Sequence, residues 1–347
     1  MPEISFLLSV FNGERYLAPT VRSLLDQDYA DYDIVVVDDG STDRSREIID
    51  RFRTDRLRVL DRPNGGLVEA LNFGLTCLNC KFVARIDADD ICYPHRLKVQ
   101  KEFIEFTSAA AVSARSLHID EVGNILGLSN SFEIFNANAH ALPALEPHLP
   151  HPFLFARRDI LDEIGGYRHA HLAEEADISW RLSELYQIAV QDEIMGKNRL
   201  HTDCISAKSL RNGRVQALFS QIAAMNSVRR ETGREEIEYV PSLGQALAAG
   251  HDWERLFAMQ DGTLDADEKV HLRLAAYLKH LDLARLRSYV PQQDDIDRAS
   301  AALTAYEGLS DDQRSAAEVL ITEARDRIMP HVAETTGFVR SLLQRLR

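Results

Sequence analysis

The sequence predicts an α/β fold, a doubly wound and mostly parallel sheet, followed by an α-helical C-terminal portion. Three observations carry this. Apolar runs alternate with segments of helical spacing through the first hundred residues. Runs such as Asp33-Ile-Val-Val-Val37 are β-branched and uninterrupted, as in strands buried on both faces. Beyond Lys208 such runs stop, and helical patterns between short breakers take over.

The elements follow in order. Residues 4–11 form an apolar strand closed by Asn12-Gly13, and Tyr16, Leu17, Val21, Leu24 and Leu25 then line one helical face. Residues 33–37 form the second strand, which breaks at Asp38-Asp39-Gly40. Ser41 or Thr42 is placed to N-cap a helix that carries Ile48, Ile49 and Phe52 inward. Arg58-Val-Leu60 is a third strand, Asn64-Gly65-Gly66 a turn and residues 67–75 a helix. Residues 82–86 form the fourth strand, which ends in Asp87, Asp89 and Asp90 before Pro94. This βαβαβαβ order implies a parallel sheet whose ligands bind beyond the carboxyl ends of its strands.

Further on, residues 94–106 read as a helix, 110–119 as a strand, and the next thirty as irregular chain. A short helix over 159–164 stops at Gly165-Gly166. Glu174-Glu-Ala-Asp177 then opens a helix with Ile178, Leu182 and Leu185 as its apolar stripe, and a strand near 188–190 leads to Asn198-Arg199-Leu200-His201. Helices are expected over 215–232, 242–249, 252–260, 266–287, 294–306, 311–327 and 331–347. The domains are therefore 1–214, α/β, and 215–347, helical. The last helix sets Val339, Leu342, Leu343 and Leu346 beside Arg340, Arg345 and Arg347. Packing within its own domain is one reading of that face; a partner or a membrane surface is the other.

Composition narrows the function. With 347 residues, 45% hydrophobic and 27% charged, the chain has the makeup of a soluble globular protein. A net charge of −14 argues against general nucleic-acid binding. No basic region precedes the first apolar run, and no run is long enough to span a bilayer. The expectation is a cytoplasmic protein, with any membrane contact peripheral at the inner face. Cys77, Cys80, Cys92 and Cys204 are expected as reduced thiols, and the Cys77-Leu-Asn-Cys80 spacing lacks the second pair a zinc site needs.

The acidic strand exit points to chemistry. In extended chain Asp87 and Asp89 project to one side and Asp90 to the other. Two oxygen donors facing one point suit a hard divalent cation, Mg2+ or Mn2+, that keeps part of its shell for substrate.

The wider motif set resembles a known family. Ser9-Val-Phe-Asn12 with Tyr16-Leu17 and Ser23-Leu-Leu-Asp-Gln-Asp-Tyr29 form its opening, and Val35-Val-Val-Asp-Asp-Gly-Ser-Thr-Asp43 its signature. Asn64, Gly66, Asn72 and Gly74 keep its two Asn-x-Gly spacings. Ala84-Arg-Ile-Asp-Ala-Asp-Asp90 with Pro94-His-Arg-Leu97 and Gln100, and Gly165-Gly-Tyr-Arg168 with Glu174-Glu-Ala-Asp177, supply the rest. Residues 4 to about 206 thus resemble a family 2 glycosyltransferase of the GT-A fold, the inverting, nucleotide-sugar-dependent kind of bacterial surface-polysaccharide synthesis.

The resemblance implies a sugar transfer from a nucleotide diphosphate, most often UDP, to a glycan or lipid-linked acceptor. It places donor contacts on Ser9, Phe11, Asn12, Asp38, Asp39, Asn64, Gly66, Arg85 and Asp87. The metal set it implies is Asp87, Asp89 and Asp90 with His201, which matches the histidine of the family's Arg-x-His block. The base falls on Glu175, where the family has Asp; that change leaves Glu174 and Asp177 as alternatives, since acidic residues also favour a helix's first turn. Arg85 and Arg96 flank the metal motif and either pair with a carboxylate or reach the diphosphate. Tyr167 and Trp180 either stack on an acceptor sugar or pack in the core. A sugar nucleotidyltransferase is the runner-up, set back by the single Gly and Arg between Ser9 and Tyr16. A degenerate, non-catalytic binding or scaffold module is the third reading; an oligomer formed through the C-terminal helices is a separate expectation.

Overall fold

The computed structural model describes residues 1–129, 137–201, 210–239, 242–287 and 289–345. The chain divides into two compact units. The first comprises Met1–Ala137, Glu146–Arg168 and Glu174–Cys204; the second comprises Asn138–Leu145, His169–Ala173 and Ile205–Arg347.

The first unit is built on one sheet. β1 (Ile4–Val10), β2 (Tyr32–Asp38), β3 (Leu57–Asp61) and β4 (Phe82–Asp87) are mutually parallel in the order β3-β2-β1-β4. Beyond β4 the sheet continues through β8 (Phe155–Arg157), β6 (Ala111–Ile119), β9 (Ile188–Arg199) and β5 (Ile91–Cys92). β8 is antiparallel to β4 and β6, whereas β6 and β9 run parallel. The sheet is therefore mixed, with its parallel half where the βα alternation is regular.

Strand alternation sorts the core into two layers. Ile4, Phe6, Leu8 and Val10 of β1 face α1 (Leu17–Leu25), α2 (Ser45–Asp50) and α4 (Arg96–Thr107) through Leu17, Val21, Leu24, Ile49, Leu97 and Ile104. Leu7, Val35 and Val37 face α3 (Leu67–Cys77), α5 (Arg158–Glu163) and α6 (Glu174–Leu185) through Leu71, Leu75, Leu161, Ile178 and Leu182. Gly74 lets α3 settle: a Cβ there would lie 2.3 Å from Leu7 Cδ1 and 3.0 Å from Val37 Cγ2.

Arg96 is fully buried between the rings of Phe6 and Phe153. Its Nε donates to Gln100 Oε1 (2.8 Å), Nη1 to Cys92 Sγ (3.1 Å) and Nη2 to the Arg85 carbonyl (2.7 Å). Gln100 in turn donates to the Phe153 carbonyl at 2.8 Å. The start of α4 is thereby fixed to the strand that delivers the aspartates.

Several expectations need correction. The stretch read as irregular contains β7 (Ile125–Leu128), paired to β6, and β8. β9 runs to Arg199 rather than ending near residue 190: it pairs with β6 from Ile188 to Arg199, and its exposed Asp192 and Glu193 hide that length from an apolar pattern. Ser41 and Thr42 do not cap α2. Its N-cap is Arg44, while the Ser41 hydroxyl and the Thr42 amide bond to Asn12 instead. Trp180 and Tyr167 are buried and so unavailable as stacking platforms. Cys204 lies outside the described residues; Cys77, Cys80 and Cys92 are free thiols.

The second unit is helical: α7 (Leu210–Glu231), α8 (Leu243–Ala249), α9 (Trp253–Ala258), α10 (Ala266–Arg287), α11 (Gln293–Ala305) and α12 (Asp311–Arg345). α12 is continuous through Pro330, where a break was expected. The side chains of the expected basic terminal helix lie outside the described residues.

Asp295 organises this unit. Its Oδ1 accepts from Arg214 Nε (2.9 Å) and Trp253 Nε1 (2.8 Å), its Oδ2 from the Gln292 amide (2.8 Å), and His280 Nε2 lies 3.5 Å from Oδ2. Burial alone would raise its pKa, but His280, Trp253 and Arg214 outweigh this and hold it at about 2. No helix among the described residues is long and apolar enough to cross a membrane.

Gly196 on β9 offers a direct test of the sheet's far edge. A Cβ there would sit 2.1 Å from the Ile91 carbonyl oxygen of β5 and 2.6 Å from the Phe153 ring. Gly196→Ala is expected to destabilise the unit by about 3 kcal/mol, a melting temperature lower by roughly 6–12 °C in thermal denaturation.

Candidate active site

The parallel half of the sheet sets the register of the site. Ser9 on β1 lies beside Val37 on one side and Asp87 on the other, and Val10 lies beside Asp38. Ser9, Asp38 and Asp87 therefore stand together at the carboxyl ends of three adjacent strands.

Asp38 and Asp39 divide their tasks. Asp38 Oδ1 accepts from the Ser41 amide (2.9 Å), and Oδ2 has no donor among the described residues. Asp39 is saturated within the protein. It accepts from Arg62 Nη1 (2.6 Å), Asn64 Nδ2 (3.2 Å), the Gly65 amide (3.1 Å) and the Gly66 amide (2.8 Å). It thus shapes the 62–66 loop, with Gly66 at φ +88° opening α3. Arg62 was not singled out from the sequence; the signal was its place one residue past β3, in register with the acidic end of β2. Asn12, at φ +53°, ties the end of β1 to the next loop: its amide donates to Ser41 Oγ (3.0 Å) and its Oδ1 accepts from the Thr42 amide (2.8 Å). Phe11, 52% exposed, stands beside it.

The three aspartates after β4 also part company. Asp87 ends the strand, and its two oxygens take both terminal nitrogens of Arg85. Asp89 lies in the following turn, with Oδ2 2.8 Å from His201 Nε2; the imidazole packs 4.9 Å from the Tyr16 ring. Burial and the charge of Asp87 raise the Asp89 pKa against the pull of His201. Asp90 is fully buried, bonded to Asn198 Nδ2 (3.1 Å) and the Arg199 amide (2.8 Å). Burial and its two acidic neighbours push its pKa well up.

Among the described residues no group of three or more His, Cys, Asp or Glu side chains forms a ready cage for a metal. The Asp89–His201 pair nevertheless fits a cation that takes most of its shell from phosphate and water, with Asp87 beside it. Asp90, enclosed by its own partners, does not.

α6 brings the third group. Asp177, 1% exposed, accepts from Arg181 Nε (2.8 Å), and Arg181 also donates to the Ile164 and Gly166 carbonyls (2.7 Å each). Gly165 and Gly166 have φ of +75° and +68°, and a Cβ on Gly166 would meet Asn72 Oδ1 at 2.6 Å. Asn72 exchanges two hydrogen bonds of 2.9 Å with the Tyr167 backbone. This bracket fixes the first turn of α6 and occupies Asp177 within the fold.

Glu174 and Glu175 remain, both half-buried. Burial raises Glu174 to about 7; its own helix amide and Arg85 oppose this, while Glu175 and Asp87 add to it. The Arg85–Asp87 pair is therefore within electrostatic reach of Glu174. His151 shares a 2.9 Å hydrogen bond with Tyr167 Oη, and burial with Arg85 nearby holds its pKa well down.

Known proteins are similar to this chain in sequence and in fold. The family model described as glycosyl transferase family 2 matches residues 5–165. Sequence relatives include an uncharacterized glycosyltransferase of Nostoc, 30% identical over 139 residues, covering 39% of this chain and 38% of that protein. Another is a chondroitin synthase of Pasteurella multocida, 24% identical over 213 residues, covering 60% of this chain and 22% of the synthase. The chain thus spans well under half the length of these relatives. Among solved structures, residues 1–349 of S. aureus TarS in complex with UDP-GlcNAc share the fold, with a TM-score of 0.55 at 17% identity over 86% of this chain and 90% of that one. Over residues 5–165 this chain matches glycosyl transferase family 2, and its fold is that of the GT-A glycosyltransferases.

Proposed function

We propose that the first unit is an inverting, divalent-metal-dependent glycosyltransferase that takes a sugar from a nucleotide diphosphate, UDP-linked, to a glycan or lipid-linked acceptor in surface-polysaccharide synthesis. One observation carries the reading: the strand register gathers Ser9, Asp38 and Asp87 at one edge, the Asp89–His201 pair follows in the next turn, and Glu174 lies within the field of the same carboxylate. The chondroitin synthase among the relatives and the UDP-sugar in the TarS structure support the donor class.

Each group has a task. Asp38 Oδ2 accepts a nucleobase N–H, and the loop held by Asp39 brings Asn64 and Gly66 alongside the nucleoside. Asp89 and His201, with Asp87, would hold Mn2+ or Mg2+, and the ion would supply positive charge to offset that developing on the departing diphosphate. The acceptor hydroxyl gives its proton to a carboxylate in the first turn of α6. Glu175 stands at the resemblance's base position, with Glu174 beside it.

The first experiment is thermal denaturation with a panel of nucleotide sugars, with and without Mn2+. One donor is expected to stabilise the wild type by about 2.7 kcal/mol at a hundredfold excess over its Kd. Asp89→Asn is expected to lose the Mn2+-dependent part. If no donor stabilises the protein under either condition, the transferase reading gives way to a scaffold function.

Turnover against pH tests the base. Because the folded state holds Glu174 above its ordinary 4.5, the fold favours its protonated form; that contribution is complete below pH 4.5 and is lost as pH rises through about 7. Turnover is therefore expected to rise through pH 7 as Glu174 ionises beside the base, and Glu174→Gln to remove that limb. Glu175→Gln is expected to lose about 10²–10⁴-fold in turnover with donor binding intact. If the full loss follows Glu174→Gln and Glu175→Gln remains active, the two roles are exchanged.

A further inference from the structure

Three buried arginines of the first unit can be compared. Arg181 places Nε on Asp177 and its terminal nitrogens on two backbone carbonyls. Arg96 places Nε on Gln100 and its terminal nitrogens on Cys92 and the Arg85 carbonyl. In both every nitrogen has an acceptor, and at least one of those acceptors is a backbone carbonyl. Arg85 differs. Its two terminal nitrogens both go to the Asp87 carboxylate, at 2.6 Å for Nη1 to Oδ2, and its buried Nε has no hydrogen-bond partner.

Exposure across this pair is lopsided. The Arg85 side chain is 3% exposed, whereas that of Asp87 is 33% exposed. Arg85 thus holds Asp87 from inside the protein, and the carboxylate presents its open side to solvent. The same carboxylate is a proposed cation ligand, yet both its oxygens already serve a cation.

We propose that Arg85 is an internal counter-cation, which occupies Asp87 in the unloaded enzyme and lowers the affinity of the site for a bare divalent ion by competing for that carboxylate. The inference rests on the metal-dependent reading above. A divalent ion that engages Asp87 must part the two-pronged pair, and a bare ion leaves the released guanidinium buried without an acceptor. A cation arriving with a nucleoside diphosphate brings phosphate oxygens that accept those N–H groups. The pair therefore favours the loaded complex over the free ion. The idle Nε fits a guanidinium that has a second set of acceptors in the loaded state.

The test measures Mn2+ binding directly, by electron paramagnetic resonance of the free ion, with Mn2+ alone and with Mn2+ plus UDP. Arg85→Gln is expected to tighten the binding of Mn2+ alone by about tenfold, the equivalent of about 1.4 kcal/mol. The extra tightening that UDP gives the wild type is expected to shrink in the variant. Combined with Asp87→Asn, the Arg85→Gln substitution is expected to change nothing further. Equal or weaker Mn2+ binding by Arg85→Gln overturns the proposal. Should that variant fail to fold, Arg85→Lys, whose single ammonium cannot match both oxygens, is expected to tighten Mn2+ binding by a smaller factor, and unchanged affinity there overturns it equally. Asp89→Asn separates the two ideas. If it abolishes Mn2+ binding while Arg85→Gln leaves the affinity unaltered, the metal site stands and the competition falls; if no form binds Mn2+, both fall.

Discussion

The governing constraint on this fold is negative charge collected at one edge of a sheet. Parallel strands that end together bring Asp38, Asp39, Asp87, Asp89 and Asp90 into one neighbourhood, and burying carboxylates without compensation is prohibitively costly. The structure answers with separate partners for four of the five, and Asp38 has the Ser41 amide on one oxygen. Arg62 and two loop amides take Asp39, Arg85 takes Asp87, His201 takes Asp89, and Asn198 with the Arg199 amide takes Asp90. The loops of the site take their shape from these partnerships: the 62–66 turn closes on Asp39, and the end of β9 closes on Asp90. Charge that would destabilise an isolated sheet edge has become the framework on which the proposed donor site is assembled.

A second framework stands behind the acidic turn of α6. Arg181 joins Asp177 to the carbonyls around Gly165 and Gly166, whose positive φ angles turn the chain, and Asn72 fastens Tyr167 to α3. Two glutamates, Glu174 and Glu175, are left at the helix start. Burial raises Glu174, and the charge of Glu175 adds to that rise.

The parallel half of the fold was legible because its strands are long, apolar and followed by amphipathic helices. The register that aligns Ser9, Asp38 and Asp87 was implicit in the order of those elements. What escaped had no period to read. β8 has three residues and β7 four, too few for alternation to register, and β9 carries charges along an edge that a two-residue strand barely covers. Within the site, residue types were visible but allegiance was not. Nothing in the run Asp87-Ala-Asp-Asp90 tells that the last carboxylate is sealed by a strand a hundred residues later, or that Asp39 faces a loop while Asp38 keeps an oxygen open. Ser41 had the chemistry of a cap, yet its hydroxyl was claimed by Asn12 across 29 positions, a distance that local rules do not span.

The helical unit carries its own single point of dependence. The Asp295 carboxylate receives Arg214 from α7, Trp253 from α9 and the Gln292 amide that opens α11, with His280 of α10 close by. No one of these helices can detach without stranding a charge or a donor in an apolar interior. Partial fraying is thereby penalised, and the bundle is bound to melt as one cooperative block. Hydrogen exchange at these four sites would then proceed at a common slow rate set by the opening of the whole.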